Sequence, residues 1–312
     1  MEHLTGISSA PNTSLSQGSK APFCFQSQRH DLSIGEFALA ERNILNQKLL
    51  EYGFILLRGF NIGSYKDFEN FARQISGRDL FNYAGGASPR TAVTSGGLYT
   101  STEYPSEMRI PLHNELSYST IFPHHLFFWC VKPADSGGET TLADSRKILK
   151  AIDPTIVEKF RNRGVCYVRN LHSGRGTGYS WQDAFETDSA EKVESQCQNM
   201  DAQYEWLADN YLRVTQICTG TIMHPVTGEE VWFNQADGFH SLFADDRPRL
   251  ESRFGDGSKI DISELRDIRK AIDGETIAHK WQKDDIIIVD NILAAHGRMP
   301  FLGDRKIVLA MT

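Results

Sequence analysis

Short runs of β-branched and aromatic residues, each closed by Gly, Pro or Asp, recur along this chain and constrain its fold more than any other feature. Phe54 to Leu57 runs into Arg58-Gly59-Phe60, and Leu126 to Val131, Val165 to Val168, Glu230 to Phe233, Asp285 to Val289 and Lys306 to Met311 follow. Such runs with such boundaries predict strands. Helical spacing of apolar residues predicts helices between them, at about 34–52, 65–75, 145–162, 201–212 and 262–281. In the last of these, Ser263 and Glu264 stand near the start, and Leu265, Ile268, Ala271 and Ile272 share one face. Many short strands interrupted by helices predict a mainly β architecture, a sandwich or jelly roll with helices packed outside. A doubly wound nucleotide fold needs a Gly-rich turn between an early strand and a helix. The glycines here make none: Gly85-Gly86, Gly96-Gly97 and the run from Ser173 to Gly178 fall in polar, helix-breaking stretches that read as surface loops or lids.

The chain has 312 residues, 40% of them hydrophobic, which is enough for one large core. No internal repeat or break in composition divides it, so one domain is expected over residues 31–312, with helical insertions, behind a loose Ser/Thr/Gly/Pro-rich arm over residues 1–30. The net charge of −7, without a clustered Lys/Arg excess, argues against a nucleic-acid partner. The longest apolar runs, such as Ile286 to Val289, fall far short of the roughly 20 residues that span a bilayer. No membrane partner is expected, and the absence of a basic then apolar leader points to the cytoplasm. Five cysteines without a C-x-x-C pair predict reduced thiols rather than a disulfide framework or a thiolate zinc site, with Cys130 part of the core.

The segment Ile110-Pro111-Leu112-His113-Asn114-Glu115 carries the first chemical signal. In an extended context the period of two turns His113 and Glu115 to one face of a strand or of its frayed end. Two His and one carboxylate with open coordination positions is the arrangement associated with iron(II) oxygenases, so one more imidazole is needed. His3 and His30 lie near the arm, His124 and His125 in a turn, and His172 beside a Gly-rich loop, while His224, His240 and His279 stay open. His296 differs. It follows the Asp285 to Val289 strand and precedes Gly297-Arg298, so it could set a ligand and a cation side by side.

Three strings in order, Pro111-Leu112-His113-Asn114-Glu115, Ser136-Gly137-Gly138-Glu139-Thr140 and His296-Gly297-Arg298 through Pro300-Phe301, Gly303 and Arg305, resemble the taurine dioxygenase family of iron and 2-oxoglutarate enzymes. With the strand before Gly59 the likeness spans about residues 45–312, and it is greatest to the branch with clavaminate synthase and the amino-acid hydroxylases of nonribosomal peptide pathways. The resemblance implies a double-stranded β-helix, a distorted jelly roll. It implies His113, Glu115 and His296 as ligands of Fe(II), Thr140 and Arg305 as partners of the 2-oxoglutarate C5 carboxylate, and Arg298, in the adjacent turn, as a second candidate for that role. The implied reaction consumes 2-oxoglutarate and O2, releases succinate and CO2, and oxidises an unactivated C–H bond. Many members carry Asp where this chain has Glu115, and the halogenating members lack the carboxylate altogether, so hydroxylation is favoured here. Desaturation, ring closure and epoxidation use the same ligands and stay open.

The expected substrate is a small molecule, an amino acid or a derivative, free or held as a carrier-protein thioester. Arg109, Asn114, Ser117, Tyr118 and Asn234 are candidate contacts, each with ordinary hydrogen-bonded packing as its alternative. The Phe127-Phe128-Trp129 and Trp232-Phe233 aromatics read as core. Two other classes compete: a jelly roll that binds without chemistry, and a zinc hydrolase, for which the H-E-x-x-H spacing is missing.

Overall fold

The computed structural model describes residues 6–11, 22–29, 31–83, 86, 90–101, 104–174, 180–238 and 249–312. Gly85, His3, His30, His240 and most of the 173–178 run lie outside them.

The fold is built on two facing sheets. The larger has seven strands and runs Ile7–Pro11, Phe23–Ser27, Phe54–Arg58, Ile286–Asp290, His125–Lys132, Lys306–Met311, Leu98–Thr100. Its central strands are unbroken apolar runs because both faces are covered. Leu56, Phe128, Ile287 and Leu309 point into the core between the sheets. Their neighbours Ile55, Phe127, Ile288 and Val308 point the other way, into a second core beneath the Ile34–Tyr52 and Tyr65–Ser76 helices. Both helices start on a capping box, Ser33 with Glu36 and Ser64 with Asp67, and both end on a left-handed glycine, Gly53 and Gly77.

The smaller sheet carries His113, Thr140 and His296. It has four strands in the order Ile277–His279, Thr140–Asp144, Ala294–Arg298, Ile110–His113. Together the two sheets form the distorted jelly roll. A further sheet, Gln203–Trp206, Leu212–Cys218, Val165–Leu171 and Leu250–Phe254, packs its own small core around Trp181, Phe185 and Leu212. Cys130 is buried in the main core and all five cysteines are free thiols. Among the described residues, no helix is long and apolar enough to cross a membrane.

Several expectations are corrected. The arm expected to be loose through residue 30 contributes Phe23–Ser27, which pairs in parallel with Phe54–Arg58 and buries Phe23 and Phe25. The helix expected at 145–162 is two, Ser145–Ala151 and Pro154–Arg163, because Pro154 starts a new helix behind the Asp153 cap. The helix expected at 201–212 is instead a hairpin, Gln203–Trp206 against Leu212–Cys218. The helix expected to reach Trp281 stops at Glu275, and Ile277–His279 joins the smaller sheet.

Candidate active site

His296 lies in the middle of Ala294–Arg298 and stands directly across from His113, the last residue of Ile110–His113. Directly opposed residues on one sheet face bring their side chains together, and the two imidazole rings lie 4.3 Å apart, centroid to centroid. Glu115 follows in the turn. Its Oε2 is 3.9 Å from His113 Nε2 and 3.6 Å from His296 Nε2, and all three ligand atoms lie within 4.8 Å of one another. Bonds of about 2 Å to one ion are compatible with that spacing. Among the described residues this is the single cluster of His, Cys, Asp or Glu able to hold a metal.

The protonation pattern fits a cation. The Pro111 carbonyl lies 2.8 Å from His113 Nδ1, so that nitrogen carries the proton and Nε2 keeps its lone pair for a metal. Burial, and next the His296 ring, lower the His113 pKa to about 4, so the ring is neutral near pH 7. Burial would raise the Glu115 carboxyl, but Arg90 and the two imidazoles overcome it and hold the group well below the usual carboxylate range.

Two devices fix the trio. Asn291 grips the Glu115 backbone from both sides, accepting from its N–H at 2.7 Å and donating to its carbonyl at 2.9 Å, and also donates to Pro123 O. That clamp holds Leu116 at a φ of 56°, an uncommon backbone for a branched residue. Gly297 admits the neighbouring strand: a Cβ there would stand 2.6 Å from Ile110 O and 2.7 Å from Thr141 Oγ1.

Two cavities meet at the trio and share Arg90, Ile110 and His113. The smaller is bounded by Thr140, Phe128, His296, Arg298 and Arg305. Arg305 donates to Gly138 O and Ser101 Oγ, and among the described residues no carboxylate pairs with it. Burial, then the Arg298 charge, pull its pKa down to about 10, so a carboxylate entering beside it would relieve an uncompensated buried cation. Gly138, at left-handed φ, lets this arginine lie against its backbone, where a Cβ would be 3.0 Å from Arg305 Cδ; Gly137, also at left-handed φ, admits the Pro300 carbonyl instead. Arg298 is otherwise engaged. Expected in a turn, it ends the Ala294–Arg298 strand and gives its N–H groups to the carbonyls of Tyr104, Pro105 and Met108.

The larger cavity, about 150 Å³, is lined by Tyr118, Arg90, Arg249, Asp237, Gln235 and Tyr83 among others. Of the five expected substrate contacts, Tyr118 alone is in that lining. Arg109 is on the surface, one residue before the Ile110–His113 strand, and is paired with Asp273 at 2.9 Å. Asn114 is buried and donates to the carbonyls of Asn291 and Ala294. Ser117 accepts from Gln235, and Asn234 donates to Gly220 O; both bonds fix loops. His224 and His279, left open above, each face an aspartate instead, Asp290 and Asp285. Arg90 escaped the sequence reading entirely. It donates to Glu115 Oε2 at 2.6 Å with both side chains buried.

The chain matches the family model described as "Taurine catabolism dioxygenase TauD, TfdA family" over residues 17–312. It is 34% identical to the dapdiamide synthesis protein DdaC of Enterobacter agglomerans, over 98% of this chain and 92% of that protein. It is 29% identical to a clavaminate synthase-like protein of Arabidopsis thaliana, over 87% and 84% respectively. In fold it is similar to PvcB of Pseudomonas aeruginosa, with a TM-score of 0.58 at 16% identity over 100% of this chain and 92% of that one.

Proposed function

The chain belongs to the taurine catabolism dioxygenase TauD, TfdA family and is a 2-oxoglutarate-dependent non-haem iron dioxygenase; from that premise we propose that His113, Glu115 and His296 hold the iron, that Arg305 and Thr140 take the C5 carboxylate of 2-oxoglutarate, and that the enzyme hydroxylates an amino acid or amino-acid derivative. Iron with 2-oxoglutarate and O2 supplies the oxidant for an unactivated C–H bond, with succinate and CO2 as co-products. The chain's own residues hold, orient and enclose the reactants. Arg305 is favoured over Arg298 because both Nη1 and Nη2 of Arg298 are bonded to loop carbonyls, whereas Nη2 of Arg305 has no bond from a described residue.

One observation carries the substrate class. Besides the paired Arg90 and Glu115, the 150 Å³ cavity beside the proposed ligands is lined by a further cation and a further anion, Arg249 and Asp237, and by Tyr83, Tyr104 and Tyr118. A zwitterionic α-amino acid, or a derivative that keeps at least one of its charged ends, matches such a wall better than an uncharged apolar molecule does. A relative named for dapdiamide synthesis agrees with a role in specialised metabolism.

The test begins with anaerobic addition of Fe(II) and 2-oxoglutarate, read by the weak visible charge-transfer band. Succinate release is then followed under O2 with free amino acids and with carrier-loaded aminoacyl thioesters. One of the two sets is expected to stimulate succinate formation and gain an oxygen atom. Full binding of iron with no stimulation by any of them would overturn the substrate class, and failure to bind iron would overturn the ligand assignment.

A further inference from the structure

We propose that Trp281 is a positioning residue for the co-substrate: its indole N–H fixes the polarity of the Thr140 hydroxyl so that the hydroxyl donates, rather than accepts, toward the C5 carboxylate of 2-oxoglutarate. The inference rests on the reading above that Thr140 and Arg305 take that carboxylate.

Trp281 Nε1 lies 3.0 Å from Thr140 Oγ1, and both side chains are buried. An indole nitrogen can only donate, so the threonine oxygen must accept. A hydroxyl has one proton, and among the described residues no acceptor receives the one on Thr140. With one lone pair held by the indole, that proton can turn into the cavity bounded by Arg305. Without the indole neither lone pair would be engaged, and holding the proton toward a carboxylate would cost the hydroxyl its rotational freedom on binding.

The placement of the indole follows from the sheet. His279 stands directly across from Thr140 where Ile277–His279 pairs with Thr140–Asp144, and Trp281 leaves the strand two residues later. The His279 ring meets the indole edge-on at 5.0 Å and 89°, and its Nε2 lies 3.3 Å from Asp285, which is itself held by Arg58. The indole thus leans on an anchored ring.

The test is the affinity for 2-oxoglutarate, measured anaerobically on the iron-loaded protein by the charge-transfer band and, without iron chemistry, by calorimetry on the Mn(II) form. Trp281→benzothienylalanine keeps the shape and replaces N–H by sulfur, and Trp281→Phe is the simpler companion. The isosteric variant is expected to weaken 2-oxoglutarate binding about three- to tenfold, as loss of one hydrogen bond between uncharged groups does. Its affinity for 2-oxobutyrate, which lacks the second carboxylate, should stay as in the parent. In a Thr140→Val background the same change should have no further effect. An unchanged affinity, an equal loss for 2-oxobutyrate, or the same loss with and without the threonine hydroxyl would overturn the inference. Should Thr140→Val itself leave the affinity unchanged, the Thr140–Arg305 reading fails first and the role of Trp281 falls with it.

Discussion

Arg298 and Arg305 both border the same small cavity, and their partners separate what each can do. A guanidinium has five N–H donors. Arg298 directs Nη1 and Nη2 at the carbonyls of Tyr104, Pro105 and Met108 and so pins the segment before Ile110–His113, whereas Arg305 bonds only through Nε and Nη1, to Gly138 O and Ser101 Oγ, and no described residue takes a bond from its Nη2. Arg305→Met should therefore weaken 2-oxoglutarate binding by on the order of a hundredfold, the worth of a bidentate charge-assisted contact, with iron affinity nearly unchanged. Arg298→Met should lower the thermal midpoint and leave the co-substrate affinity within about threefold, because it removes carbonyl partners rather than an anion's partner. Calorimetric titration beside a melting curve separates the two. Of the three proposed ligands, His113 and Glu115 stood out because a two-residue spacing is a local signal, and His296 because it follows the Asp285 to Val289 strand and precedes an arginine; their convergence within 4.8 Å is what the folded sheet adds. Arg90 did not: nothing in a short window ties it to a carboxylate far along the chain, and only the folded sheet brings its guanidinium to Glu115 at 2.6 Å.

Elements were legible where periodicity was the whole story and failed where pairing overrode it. Ile34–Tyr52 and Lys306–Met311 have the predicted bounds. The 201–212 stretch has helical spacing in Tyr204, Leu207 and Tyr211, yet it folds back, since Asp209 and Asn210 take φ of 59° and 57° and reverse the chain before Leu212. An Asp-Asn pair is a turn signal, and here it outranks the spacing. The strand that carries His296 was hidden in an apparent link, because Ala294 and Ala295 are weak strand formers that the two neighbouring strands hold in place. That dependence gives an element-scale prediction. Gly297→Ala places a methyl group against Ile110 O and Thr141 Oγ1, so the Ala294–Arg298 and Ile110–His113 strands must part by some tenths of an ångström. Iron affinity should fall about 10- to 100-fold, as for other changes just behind a metal ligand, while circular dichroism keeps its β signature. A second prediction concerns the edge of Ile286–Asp290. Burial would raise the Asp285 carboxyl, yet the Arg58 and His279 bonds bring it below its ordinary value. A depressed folded pKa stabilises above the unfolded value of about 3.9 and loses that contribution as pH falls through the folded one. Asp285→Asn should cost about 1–3 kcal/mol at pH 7, because it leaves the partly buried Arg58 without its anionic partner, and the gap to the parent in urea unfolding should narrow below about pH 4.

At the scale of the molecule, the site exists only while the chain is closed on itself. His113 and His296 meet across one sheet, Glu115 is clamped by Asn291 from the loop that leaves the other, and Arg305 stands just before the Lys306–Met311 strand of the larger sheet. No short peptide of this sequence contains the set, so whatever binds there binds the folded state and not the unfolded one. Linkage then fixes the size of the effect: a ligand present at a hundred times its dissociation constant stabilises by about 2.7 kcal/mol. For a protein of this length that amounts to a rise of roughly 4 °C in the thermal midpoint. Mn(II) should raise the midpoint of chelator-treated protein, and 2-oxoglutarate should add its increment only when the metal is present, since its keto acid end needs the ion. In His113→Ala both increments should vanish together, whereas in Arg305→Met the metal increment should survive and the 2-oxoglutarate increment shrink. If 2-oxoglutarate raised the midpoint equally with and without metal, the two cavities would be independent sites rather than one continuous pocket joined at His113, and the geometry would have to serve some other chemistry.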